Sequence, residues 1–244
     1  MYWSIAHKDL AIHNPTSEQK IEEVCEILSL PSHARVIDIG CGTGEFLIHL
    51  VGRYQVSGVG VDVSPFMIEE AKQRHKDRAP QADLLFIQMD GSLFMRERSE
   101  TFDLAVCLGA SNAFGGYKNT LRVLREMVRP GALVVIGAPY WLHVPAEGEE
   151  ILALVKIRPE GTYYQNVVTA KESGMEILYI ADSSQHDWDR YEGHQWRSVE
   201  MYATEHNDDN TPYFLSRIRK SKDTYLKWRR DNIGWAIYVF RTEC

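Results

Sequence analysis

The sequence predicts an α/β protein built on a doubly wound, mostly parallel sheet of seven strands, with a helical insertion before the last strand. Three observations support this. From about residue 35 to 140, short apolar runs of strand length alternate with segments of helical periodicity. A glycine-rich stretch, "VIDIGCGTGEF", marks the first crossover from strand to helix. Near the end, a long aromatic segment of helical pattern precedes a final apolar run, "GWAIYVF".

Taken in order, "RVIDI" (35–39) reads as a buried strand and "GEFLIHLVGRY" (44–54) as the helix that follows it. "QVSGVGVD" (55–62) is the second strand. In "SPFMIEEAKQRH" (64–75), Ser64 is placed to cap a helix, Pro65 suits its first turn, and Glu69 and Glu70 favour its positive end. "LLFIQ" (84–88), "FDLAVCL" (102–108) and "ALVVIGA" (132–138) are three further strands. Between the last two, "YKNTLRVLREMVRPG" (117–131) repeats apolar residues at helical spacing and stops at Pro130-Gly131. "TYYQNVVTAKESG" (162–174) reads as a helix closed by Gly174, "MEILYIA" (175–181) as a strand, and 186–231 as mostly helical.

The chain has 244 residues and is 44% hydrophobic and 25% charged, enough for one domain with a real core. Its 27 basic and 34 acidic residues give a net charge of -7, which argues against a nucleic-acid partner. The four cysteines, Cys25, Cys41, Cys107 and Cys244, form no Cys-x-x-Cys pair, so neither a zinc knuckle nor a redox pair is expected. The start, "MYWSIAHKDL", lacks the pattern of a signal peptide, and no apolar stretch is long enough to span a membrane. The expectation is a soluble cytoplasmic protein with no membrane partner and no metal.

Gly40, Gly42 and Gly44 pose the central question. They serve either a tight turn or a ligand that must approach the backbone closely. Open α/β sheets bind ligands beyond the carboxyl ends of their strands. The spacing is G-x-G-x-G with Asp38 two residues before it, whereas nicotinamide and flavin sites favour G-x-G-x-x-G. Asp62 ends the second strand, where a carboxylate can take both hydroxyls of a ribose. Asp90 ends the third, in "QMDGS", placed to accept from an adenine amino group.

These motifs together resemble the class I S-adenosylmethionine-dependent methyltransferase family, whose fold is Rossmann-like. "VIDIGCGTG" is similar to that family's first motif, "GVGVDVS" to its ribose motif and "IQMDGS" to its adenine motif. "FDLAVCLGA" and "LREMVRPGALVVIG" resemble the fourth strand and the helix and strand after it. The resemblance implies S-adenosylmethionine as cofactor. Gly40, Cys41, Gly42, Thr43 and Gly44 would cradle its methionine part, with Asp38 orienting that loop or the methionine amino group. Asp62 and Val63 would hold the ribose, Met67 would pack on the adenine with Asp90 and Gly91 at its border, and Cys107 and Leu108 would line the cofactor. It further implies one domain (1–244): an N-terminal helical cap (1–33), a cofactor-binding core (34–140) and a helical insertion or lid (185–231).

The acceptor is expected to be a small molecule. The Asn-Pro-Pro-Tyr type motif of adenine-directed amino methyltransferases is missing after the fourth strand, where "LGASNAFGG" stands. Candidates for catalysis are His13, Tyr140, Glu192 and His194, and for acceptor binding Tyr140, Trp141, Tyr191 and Trp196. The aromatic stripe of Trp188, Tyr191, Gln195, Val199 and Tyr202 is open to two readings: packing of the insertion on the sheet, or a lid over the acceptor. The basic run "RIRKSKDTYLKWRR" is expected to be a solvated helix face. Two competing functions are a non-catalytic S-adenosylmethionine-binding regulatory protein and an NAD(P)-dependent oxidoreductase.

Overall fold

Strands apolar at successive positions must be covered on both faces, and the computed structural model has that arrangement. It describes residues 1–97, 101–146, 158–206 and 208–243, with only the backbone of 95–97; Cys244 lies outside them. Seven strands form one sheet: β1 (Arg35–Ile39), β2 (Ser57–Asp62), β3 (Asp83–Gln88), β4 (Phe102–Leu108), β5 (Val128–Trp141), β6 (Met175–Asp182) and β7 (Ile233–Thr242), in the order β3-β2-β1-β4-β5-β7-β6. Only β7 runs against its neighbours. The chain winds from β1 outward to β3, then returns to β4 on the other side of β1. The ends of β1 and β4 therefore form the switch point of the sheet.

One face of the sheet, with Ile37, Cys107, Ile136 and Tyr238, is covered by α5 (Gly91–Glu97), α6 (Tyr117–Met127) and α7 (Tyr163–Glu172). The other, with Val36, Val106, Val135 and Val239, is covered by α2 (Glu18–Ile27), α3 (Glu45–Arg53) and α4 (Pro65–Arg78). Helix starts follow local chemistry. Ser64 Oγ accepts from the Met67 N–H, and Thr162 forms a reciprocal capping box with Gln165. α6 stops at Met127, earlier than Pro130-Gly131, because Val128 is already extended and begins pairing with Phe102.

Two long helices, α8 (Gln185–Glu205) and α9 (Thr211–Thr224), lie between β6 and β7, followed by a π-helical turn at Tyr225–Arg229 and a last helical turn at Arg230–Asn232. The short N-terminal α1 (Tyr2–Ala6) packs on them, and Tyr2 and Ala6 share a cluster with Val199, Phe214 and Ile218. The N-terminal segment and the insertion are thus one helical layer, joined side chain to side chain.

Glu45, the first residue of α3, locks that helix to α4 through Arg74 at 2.9 Å and Arg78 at 2.5 Å, with His49 at 3.2 Å. Burial alone would raise its pKa, but these three partners overcome that and bring it down to about 2. The folded-state value lies below the unfolded one, so the contribution is complete above about pH 4.3 and is lost as pH falls toward 2. Glu45→Gln is expected to cost about 3 kcal/mol at pH 7 by stranding the partners. Thermal melts from pH 7 to pH 2 check this: the variant's deficit should shrink at acid pH.

Candidate active site

The loop from β1 to α3 has its three glycines at φ +74, +53 and +74, a conformation that L side chains rarely adopt. Gly40 and Gly44 have a second reason to be glycine. A Cβ on Gly40 would fall inside Ala110 Cβ, and one on Gly44 would lie 2.6 Å from the Phe86 ring. Gly42 differs: the nearest atom to its built Cβ is His13 Nδ1, at 3.8 Å. The two outer glycines answer to the chain's own packing, while the middle one faces the N-terminal segment. The Gly40 and Cys41 N–H groups donate to the Val61 carbonyl, pinning the loop to β2. Asp62 completes the pin, accepting from the Gly42 N–H at 3.0 Å and the Ser64 N–H at 2.8 Å.

Beneath this loop lies Asp38, 2% exposed, whose Oδ1 has no hydrogen-bond partner among the described residues. Burial, and after it the Asp62 carboxylate, push its pKa up to about 8. A buried carboxyl with one unpaired oxygen, beside a second acid, is a site that favours a cation.

The other sequence candidates are placed unequally around this centre. Thr43 is buried and its Oγ1 donates to the Ala11 carbonyl at 3.0 Å, tying the loop to the N-terminal segment. Val63, just past β2, is exposed, as is Phe66 in the first turn of α4, which the sequence did not single out, and Met67 is half-buried. Asp90 is exposed and accepts from the Ser92 hydroxyl and N–H, which pull its pKa below the usual range. It thereby starts α5, whose Gly91 must lack a side chain because a Cβ would meet Ile39 at 2.5 Å. Two side chains face away from the loop. The Cys107 side chain is wholly buried against α6, because alternation along β4 sends it to the face opposite Leu108. The Cys41 thiol likewise points into the core on the α3 face, so only its backbone is available to a ligand.

Above the loop, the N-terminal segment and α8 converge. His13 stacks on His7 at 4.6 Å, and the Tyr191 hydroxyl donates to the His13 carbonyl while bonding His7 Nε2, each at 3.2 Å. Burial lowers both histidine pKa values, His7 to about 3, so the pair is neutral near pH 7. His13 Nε2 lies 3.2 Å from the Leu10 carbonyl. A carbonyl only accepts, so Nε2 carries the proton and Nδ1 keeps its lone pair toward Gly42.

The remaining catalytic and acceptor candidates separate. Glu192 is buried and ion-paired with Arg229 at 2.9 Å, so it is no free base; burial raises its pKa against the pull of that guanidinium. Trp196 packs edge-on to Tyr225 beneath Lys222 in the α1–α8–α9 layer. His194 Nδ1 is buried without a hydrogen-bond partner among the described residues. Tyr140 lies on the α7 face of the sheet, donating to Asp182 at 2.7 Å and touching Tyr163. Trp141 lies on the other face with Ile233, Trp188 and Trp228. The basic run is largely engaged within the protein: Arg217 covers Tyr2, and Arg219, Arg229 and Arg230 pair with Glu200, Glu192 and Asp189. Among the described residues one group of possible metal ligands comes together, Glu18, Glu45 and His49, but Arg74 and Arg78 already compensate the Glu45 carboxylate.

A seven-stranded sheet with one reversed strand, a three-glycine loop at its switch point and acids ending β2 and β3 define the class I methyltransferase architecture. Residues 36–131 match the family described as methyltransferase domain. The chain is 26% identical to the uncharacterized protein YjhP of Escherichia coli (strain K12), covering 97% of this chain and 96% of that protein. The X-ray structure of YjhP superposes with a TM-score of 0.90 at 25% identity, covering 99% of each chain. A Geobacter sulfurreducens SAM-dependent methyltransferase, crystallised with S-adenosyl-L-homocysteine, shares the fold at a TM-score of 0.90 and 24% identity, over 99% of this chain and 98% of that one. Residues 36–131 thus carry a methyltransferase domain, the chain is similar over its length to class I S-adenosylmethionine-dependent methyltransferases, and its class of activity is methyl transfer. No helix among the described residues is long and apolar enough to cross a membrane.

Proposed function

We propose that this protein binds S-adenosylmethionine at the Gly40–Gly44 loop and methylates a small organic acceptor under the helical layer. The observation that carries the cofactor is Asp38. A buried carboxyl with an unpaired oxygen, beneath a loop of backbone N–H groups, suits an amino acid's ammonium group. The Asp62 oxygens each hold one backbone N–H and keep a further lone pair for ribose hydroxyls. When bound, the cofactor supplies a sulfonium-activated methyl group, so the protein's share is alignment, charge and exclusion of water. His13 suits proton removal from the acceptor: it is neutral, and its Nδ1 lone pair faces the loop. The pairing of Arg219, Arg229 and Arg230 with acids favours a small acceptor over nucleic acid.

Calorimetric titration with S-adenosylmethionine, S-adenosylhomocysteine and NADH tests the cofactor. Binding of the first two and not the third is expected, and NADH binding alone would sink the proposal. Asp62→Ala should weaken S-adenosylhomocysteine by roughly tenfold to a hundredfold, from the loss of charged hydrogen bonds. Unchanged affinity would reduce Asp62 to a turn residue.

A further inference from the structure

Several buried side-chain atoms besides Asp38 Oδ1 make no hydrogen bond among the described residues, and four of them belong to one neighbourhood. They are Asn14 Oδ1, Thr16 Oγ1, Ser183 Oγ and Trp235 Nε1, on residues at most 8% exposed. Their segments are distant in sequence. Asn14 and Trp235 flank Gly109 just past β4: a Cβ built there would lie 4.0 Å from Asn14 Cβ and 3.0 Å from the Trp235 ring. The Thr16 N–H donates to the Asn14 carbonyl at 2.8 Å, and the Ser183 N–H to the Trp235 carbonyl at 2.9 Å. That second bond continues the antiparallel β6–β7 ladder beyond Asp182 and Ala236, and opposed residues in such a ladder share a face. Ser183 and Trp235 therefore lie on the same side of the sheet. Asp38 and Leu108 occupy that side too, and Asn14 Nδ2 donates to the Leu108 carbonyl at 3.4 Å. This bond also fixes Oδ1 as the free end of the Asn14 amide.

Buried polar atoms are satisfied in roughly nine cases of ten or more, so four left over in one neighbourhood mark a place built for a polar guest. The set is uncharged, and the charges on this side are engaged: Lys20 holds Asp187 at 2.6 Å, and Asp38 is taken by the cofactor's ammonium group in the reading above. A charged guest would find no counter-ion, and an apolar one would leave all four atoms unpaired. A neutral hydroxyl meets both needs, donating to Asn14 Oδ1 and accepting from Trp235 Nε1. Further along β5 and β7 on the same face, Trp141 and Ile233 join Trp188 and Trp228 in an apolar cluster. Aromatic faces of this kind suit a planar guest.

We propose that Asn14, Thr16, Ser183 and Trp235 seat the methyl acceptor, and that it is a neutral, planar, hydroxylated molecule of the phenol class. This rests on the methyltransferase reading above. The test uses the full chain saturated with S-adenosylhomocysteine and three ring probes of similar size: phenol, benzoate and benzylamine. Affinities are read by saturation-transfer NMR, with Trp235 fluorescence isolated by difference against Trp235→Phe. Phenol is expected to bind at least about tenfold more tightly than either charged probe, as one or two satisfied hydrogen bonds predict. Ser183→Ala and Asn14→Leu should each weaken phenol by about tenfold or less, with S-adenosylhomocysteine affinity within about twofold of the parent. Ser183→Ala removes only one oxygen, so it remains informative where Asn14→Leu fails to fold. If S-adenosylhomocysteine binds but phenol does not, or phenol binds no better than benzoate, or phenol survives Ser183→Ala unchanged, the acceptor seat is wrong and the methyltransferase reading stands. If S-adenosylhomocysteine itself fails to bind, the methyltransferase reading fails and this inference falls with it.

Discussion

Gly40→Ala is expected to unfold the cofactor loop. The residue sits at φ +74, where a side chain costs about 1–2 kcal/mol. The new methyl would also fall inside Ala110 Cβ, which belongs to a neighbouring loop and not to the far end of a flexible side chain. Relieving that overlap adds about 1–3 kcal/mol. A loss of roughly 2–5 kcal/mol is a large part of the stability of any domain, and for a chain of this length it lowers Tm by roughly 4–20 °C. Gly52→Ala is the control. Gly52 lies in α3 with nothing within 4 Å of its built Cβ, so that variant should be neutral or gain up to about 1 kcal/mol. Scanning calorimetry of the two variants decides between a loop that demands glycine and one that merely contains it. Equal melting temperatures would show that the Gly40 backbone relaxes freely.

The sheet was legible because parallel strands buried on both faces leave short, continuous apolar runs, and "RVIDI" and "FDLAVCL" are such runs. Asp38 and Asp62 were legible for a related reason: each breaks an apolar pattern at or near the carboxyl end of its strand, where only a ligand or a turn tolerates an acid. Side-chain facing was harder. Cys107 and Leu108 are adjacent in sequence, and alternation sends one to the α6 face and the other to the α3 face. The period of two is visible, but the phase depends on which helix covers which face.

The helical layer was legible only as helix. The stripe through Tyr191, Gln195 and Val199 follows from spacing, yet its partners come from the opposite end of the chain: Tyr2 and Ala6 of α1 meet Val199, and His7 and His13 meet Tyr191. Glu192 shows the same limit: nothing local announces that Arg229 reaches it, because the π-helical turn at Tyr225–Arg229 resets the register of the basic run. Asn14 and Trp235, which meet at Gly109, offered no signal beyond an Asn-Pro turn and a strand aromatic.

Asp38→Asn is expected to stabilise the cofactor-free protein at pH 8 while abolishing cofactor binding. In the unfolded chain this carboxyl titrates near an ordinary value of about 3.9; in the folded protein, burial and then Asp62 raise it to about 8. Between those values the folded state holds the extra proton. Its contribution to stability is full below about pH 4 and is lost as pH rises toward about 8. At one unit per 1.36 kcal/mol the loss is on the order of 3–6 kcal/mol, and the neutral asparagine does not incur it. The parent's melting temperature should therefore fall from pH 5 to pH 8 more steeply than the variant's, with the variant higher at pH 8. The affinity change runs the other way. A bound ammonium group favours the ionised carboxylate, so cofactor binding to the parent below pH 8 should release a proton, measured by calorimetry in buffers of differing ionisation enthalpy. Asp38→Asn should lose that proton release and weaken S-adenosylhomocysteine by about a hundredfold, the scale of removing one partner of a buried charged pair. A variant less stable than the parent at pH 8, or one that keeps its affinity, would make Asp38 a structural acid and move the methionine end of the cofactor elsewhere on the loop.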